Sequence, residues 1–388
     1  MKDNRVDNGS PDIDWAEIDG RTYDCIDGCA LCCLCQPELL PHEEKEFRKE
    51  PDLSAGISST HISPDVTGAA ISLRGDHGAC YFLREKRCSI YDRRPHFCRT
   101  FPLSVFVGWR IQVNANMSCR GMGLPGEDLL TIGRDWISRF SREQLDDELK
   151  SARSVFQEFT MNARDASVAQ SRDSLRGAAS VLSDELVDGL GISRILTYAE
   201  HGKTRQNSSV QDIVRRARSA EADADLEERA MIDGIELFDL PEFSMLPVYI
   251  DEALVWRLFV LKDREIVGHV LHEDGRMEEY TRIDPSQVEL MPMSPDGAAT
   301  LREYAMLVNS RDCFLGHAAH LCDEEAYEYN LAQVYLGALA NNILDLWWRA
   351  SFLSAAEGKT LLGAREVREG VVFFDMDLLD LPTIGAFI

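Results

Sequence analysis

The chain carries eleven cysteines among 388 residues, and nine of them fall between positions 25 and 119. Five lie inside "YDCIDGCALCCLCQP", residues 23–37: Cys25, Cys29, Cys32, Cys33 and Cys35. Cys80, Cys88 and Cys98 follow in "GACYFLREKRCSIYDRRPHFCRTFP", and Cys119 in "NMSCRGMG". Thiolate is the ligand of choice for zinc and for iron–sulfur clusters. Ligands two or three residues apart wrap one centre with a single turn of chain, and distant ligands close the loop. The spacing Cys25-x3-Cys29-x2-Cys32-Cys33 therefore points to a metal site completed by Cys80, Cys88, Cys98 and Cys119. Neighbouring side chains point to opposite faces of an extended chain and diverge by about 100° on a helix. The adjacent pair Cys32–Cys33 is thus expected to serve two centres, or one centre with a spare thiol. Nine thiols suffice for two four-ligand sites, or for one such site plus a mixed site using His61, His77 or His96.

Several arginines flank these thiols. Thiolates around a metal leave net negative charge, which a guanidinium neutralises while donating hydrogen bonds to sulfur. Arg94 and Arg99, inside the second motif, are the candidates for that role, ahead of Arg93 and Arg120. A second, sparser constellation is "RDCFLGHAAHLCDEE". On a helix, Cys313, His317 and His320 share one face at i, i+4 and i+7, a mixed set suited to zinc. Cys322 joins them only if the helix ends near His320.

What must position these residues is an α+β chain. Residues 1–20 read as a polar, frayed tail. Residues 21–125 read as a metal-stapled, loop-rich module, with one helix near 41–50 opened by Pro41 and a strand pair within 101–117 turning near Gly108. Residues 126–235 are mainly helical, with a capping-box start at Ser141 and a single long candidate over 208–235. Residues 236–388 open with a three- or four-stranded antiparallel meander: "LPVYI", "LVWRLFVL", "IVGHVLH" and "RMEEYTRI" are separated by turn-forming stretches. Helices follow, and the apolar tail "VVFFDMDLLDLPTIGAFI" is expected to dock.

The formal net charge is −25, from 66 acidic and 41 basic residues. Such a chain lacks the basic footprint of a nucleic-acid binder and is repelled by anionic membranes. "MKDNRVDNGSPDIDW" has no apolar core of a secretory signal, and "LAQVYLGALANNILDLWWRASFL" is interrupted by Gln333, Asn341, Asn342 and Asp345. A cytoplasmic protein is expected. In a reducing cytoplasm clustered thiols bind metal rather than form disulfides.

"CSIYDRRPHFCRTFP", together with the upstream cysteine run, resembles the YkgJ-like cysteine-cluster family over about residues 21–125. The family spaces its opening cysteines as Cys-x2-Cys-x2-Cys-Cys, whereas three residues separate Cys25 from Cys29 here, and Cys35 is additional. The resemblance implies a zinc- or iron-chelating domain. One branch, the flagellin lysine-N-methylases, is similar in its cysteines and implies an iron–sulfur cluster in protein methylation. Cys25-x3-Cys29-x2-Cys32 also has the spacing of a radical S-adenosylmethionine cluster loop, but the repeated strand–helix pattern of such enzymes does not follow it. The sequence is thus read as a metalloprotein with an iron–sulfur cluster preferred over zinc, in which the later regions meet a protein partner or protein substrate. The alternative is a zinc-binding accessory or structural module without catalysis. No acid–base pair stands out as a catalytic centre.

Overall fold

The computed structural model describes residues 13–63, 66–76, 78–222, 225–239 and 248–388. The chain is α+β, with small antiparallel sheets in and after a cysteine-rich first part and a helical second part. In the first part, Pro41 starts the helix Pro41–Phe47, where its fixed φ and missing N–H cost nothing. Strands Leu103–Val107 and Ile111–Ala115 form the expected hairpin.

That hairpin is the inner half of a four-stranded sheet. Ile13–Asp14 pairs in parallel with Ile111–Gln112 on one side. On the other, Ala386–Phe387 pairs antiparallel with Phe106–Val107. The expectation of a frayed tail to residue 20 is therefore corrected for residues 13–20. Ile18 is fully buried, and the Glu17 carboxylate accepts from the Ala115 amide at 3.0 Å and from Asn114 Nδ2 at 2.7 Å. A segment mostly polar in composition is held because its few apolar and charged groups find partners far along the chain.

The helical second part begins as the sequence suggests. Ser141 and Gln144 form a reciprocal capping box at the start of helix Arg142–Asp165. The single helix expected over 208–235 is instead two, Val210–Ser219 and Leu226–Phe238, because Asp225 caps the second by accepting from the Glu228 amide. The meander is present as four antiparallel strands in sequence order: Val248–Ile250, Trp256–Lys262, Glu265–Leu271 and Met277–Ile283.

Helix Leu331–Ala356 runs through the main core, with Trp348, Leu339 and Phe352 fully buried. The four polar residues that interrupt it, Gln333, Asn341, Asn342 and Asp345, find partners inside the protein. Gln333 donates to the Gly202 carbonyl at 2.8 Å, Asn341 accepts from Arg229 at 2.9 Å, and Asp345 pairs with Arg349 at 2.9 Å. No helix among the described residues is long and apolar enough to cross a membrane.

The two parts are locked by a buried charge network. Arg311 has no exposed surface; it contacts Glu17 at 2.9 Å and Asp375 at 2.6 Å, and donates to the Ala115 carbonyl at 2.9 Å. Tyr304 donates to the same Asp375 carboxylate at 2.7 Å. One guanidinium thus joins the N-terminal segment, the inner hairpin and the helix Ala364–Leu378. Burying charge is costly unless every group is satisfied, and here each has more than one partner.

Candidate metal centre

All nine cysteines of the first part line one cavity of about 530 Å³. Four short pieces of irregular structure bring them there. The first carries Cys25 to Cys35 and includes a three-residue 3₁₀ turn, Leu31–Cys33, entered through Ala30 in the left-handed region at φ 51°. The Cys33 carbonyl accepts from the Cys80 amide at 2.7 Å, which fixes the second piece against the first. The third is the two-residue hairpin Leu83–Arg84/Arg87–Cys88, whose turn residues Glu85 and Lys86 both have positive φ, followed by the short helix His96–Thr100 bearing Cys98. The fourth is the loop after Ala115, where Cys119 sits and where Gly121 approaches the Asp24 carbonyl so closely that any side chain would collide with it.

The thiols fall into two neighbourhoods. Cys32, Cys33, Cys80, Cys88 and Cys98 sense one another electrostatically. Cys25, Cys29 and Cys119 form the other, around the Tyr23 phenol, which hydrogen-bonds to Cys25. Cys32 interacts with both groups. Cys35 is apart, its Sγ 3.7 Å from Met376 Sδ on the helix Ala364–Leu378.

The adjacent pair sits on neither a strand nor an α-helix. Cys32 and Cys33 share a side-chain hydrogen bond and line the same cavity, because a tight turn rather than a strand or α-helix carries them. That bond lowers the Cys32 thiol below its ordinary value, with help from Arg94, and raises Cys33, which burial raises further. Burial is the main cause elsewhere: it raises Cys29, Cys80, Cys88 and Cys98, and pushes Cys35 and Cys119 to about 12. Neighbouring thiols add to each rise, since two thiolates side by side repel. A cation among them reverses that balance. The donor set therefore suits a thiophilic metal. The side chains surround a shared space rather than a point, and among the described residues no three Cys, His, Asp or Glu converge closely enough to hold an ion as they stand.

The arginines divide. Arg94 lines the cavity, lies over the Tyr91 ring at 3.7 Å from its centroid, and acts on Cys32, Cys88 and Cys98 through its charge. Arg99 does not line the cavity and pairs at 3.4 Å with buried Glu43, whose carboxylate also takes the His96 amide at 2.7 Å. Arg93 pairs with Glu50 at the surface, and Arg120 with Glu369 while its charge acts on Cys29. Of the histidines considered for a mixed site, His96 packs against Trp136 and Phe140 and does not line the cavity; His77 and the side chain of His61 lie outside the described residues.

The structure adds residues that motif spacing did not reveal. Besides Tyr23, Lys86 lines the cavity, over the Trp256 ring at 2.9 Å from its centroid. Burial lowers its ammonium to about 8 despite the nearby Glu273 carboxylate. Trp256 itself donates to the Cys29 carbonyl at 2.8 Å. Lys86 comes from a turn with no glycine or asparagine, Trp256 from the meander and Tyr23 from the short strand Thr22–Tyr23, so only tertiary structure shows them together.

Among the described residues the second constellation forms no group of three close enough to hold an ion. Cys313, His317, His320 and Cys322 all lie on the helix Asp312–Glu324, which continues past His320. Cys313 packs with Phe106 and Leu379, whereas Cys322 belongs to the main core and points toward the Tyr329 carbonyl. The Nδ1 of His317 is 2.7 Å from the Pro382 carbonyl oxygen.

Residues 24–120 match the CxxCxxCC family, described as a "Putative zinc- or iron-chelating domain". Comparison with curated proteins and with solved structures gives no match.

Proposed function

We propose that the thiol cavity holds an iron–sulfur cluster and that the protein works in redox chemistry. The observation that carries this is the convergence of nine cysteines on one cavity, more than twice the four that a structural zinc requires. Cys32, Cys33, Cys80, Cys88 and Cys98 are the ligand candidates on one side, and Cys25, Cys29 and Cys119 on the other. A bound cluster would supply one-electron transfer. Around it, Arg94 offsets thiolate charge, a lever that sets potential. Side chains must draw inward to ligate, which the short turns and loops of this module permit more readily than regular helix. The zinc reading is the second, favoured by the same family match.

The test is anaerobic purification followed by metal and acid-labile sulfide analysis. Iron with sulfide, and a brown protein absorbing at about 400 nm, are expected. Zinc at one or two equivalents without iron would replace this reading with that of a zinc-stapled module for partner recognition.

A further inference from the structure

A second cavity, of about 380 Å³, shares a wall with the first. Cys119 lines both, and its chain neighbours Met117, Arg120 and Met122 line the second. Its far side is built from the helices Pro295–Ser310 and Ala364–Leu378, so it lies where the cysteine module meets the helical part. The volume is that of a small-molecule site.

The charges inside it do not all cancel. Arg120 is paired with Glu369, and Arg365 with Glu252. The remaining three charged groups form no ion pair with any described residue: Arg21, Arg368 and Glu303. Arg21 donates only to the Glu17 carbonyl, at 2.7 Å, and approaches Met117 Sδ at 4.0 Å. Arg21 and Arg368 thus face one cavity without a carboxylate partner among the described residues. Between the charges lie thioether and aliphatic surfaces: Met117, Met122, Leu307 and Val372.

We propose that this cavity binds a free α-amino acid with an apolar side chain. Arg21 and Arg368 take the carboxylate, Glu303 takes the ammonium, and the side chain lies on Met117, Met122 and Leu307. Charge-assisted hydrogen bonds of this kind fix orientation, and the apolar surface supplies affinity. The ligand's position beside Cys119 places it next to the metal centre; that adjacency rests on the reading above, and the binding itself does not.

The probe is L-norleucine, titrated calorimetrically into the full chain as purified, with its N-acetyl derivative and its methyl ester as controls. Norleucine is expected to bind, and each derivative, lacking one charge, about tenfold more weakly or worse. Arg368→Gln and Arg21→Gln weaken norleucine by the same order. Glu303→Gln weakens norleucine but leaves the N-acetyl compound unchanged, a pattern that mere loss of structure does not produce. Arg368 and Glu303 are exposed, so their variants retain the fold. Absence of norleucine binding, equal binding of all three compounds, or indifference to Arg368→Gln overturns the proposal. Metal content measured on the same samples separates its failure from failure of the metal reading.

Discussion

Two stretches of this chain pair cysteine with neighbouring metal-binding residue types, and the fold treats them oppositely. In the first part, thiols on a 3₁₀ turn, a tight hairpin, a five-residue helix and a loop all face one cavity. On the helix Asp312–Glu324, Cys313 and Cys322 enter different cores. A regular helix radiates its side chains, so a row on one face converges only if another element brings partners to it. Short irregular elements have no such obligation. Clustering in sequence becomes clustering in space where the backbone is free to turn back on itself.

The largest effect that could break this contrast is on metal content. Cys32→Ser and Cys98→Ser are expected to abolish it, whereas Cys313→Ala and Cys322→Ala leave it intact, read by elemental analysis of anaerobically purified protein. Metal lost equally from all four variants would erase the distinction between the two stretches. Next in size is Arg311→Met. It leaves Glu17 and Asp375 buried without their cation, and the expected cost is about 3–5 kcal/mol in urea unfolding. If stability were unchanged, the network would not be what joins the two parts.

Smaller effects test the helical cysteines as ordinary core residues. Cys313→Ala and Cys322→Ala should each cost about 1 kcal/mol, the scale of a small cavity in packed surroundings. The least effect concerns His317, whose imidazole burial holds below its usual pKa. With the folded value depressed, its contribution is complete above the unfolded pKa of about 6.5 and is lost as pH falls through that value toward the folded one. His317→Gln should flatten the stability profile in that window, measured by urea midpoints across pH. An unaltered slope would show that another group is responsible.

Much of this architecture was legible because local signals agree with tertiary ones. Pro41, the Ser141–Gln144 capping box, the period-two runs of the meander and the cysteine spacing each act over a few residues. What escaped notice depends on distant partners. Ile13–Asp14 is a strand only because Ile111–Gln112 accepts it, and the edge strand Ala386–Phe387 likewise needs Phe106–Val107. Arg94 and Arg99 are equivalent by position, five residues apart, yet Glu43 draws Arg99 away while Tyr91 holds Arg94 at the cavity. Lys86 reaches the thiols through a turn whose residues carry no turn signature. The 3₁₀ turn that carries Cys32 and Cys33 is not visible either, because no spacing rule distinguishes it from a strand or an α-helix.

The walls of the thiol cavity carry one further consequence, for the order of assembly. A ribosome delivers residues 24–120 before their partners, for the Cys29 carbonyl is held by Trp256, Cys35 touches Met376, and Phe106–Val107 pairs with Ala386–Phe387. During vectorial synthesis the cysteines therefore emerge into solvent long before their enclosure exists. Val372 and Met376 of the helix Ala364–Leu378 pack against the same cluster as Cys29 and Cys33, so a metal taken up by these thiols would meet either an open nascent nest or one already backed by that helix.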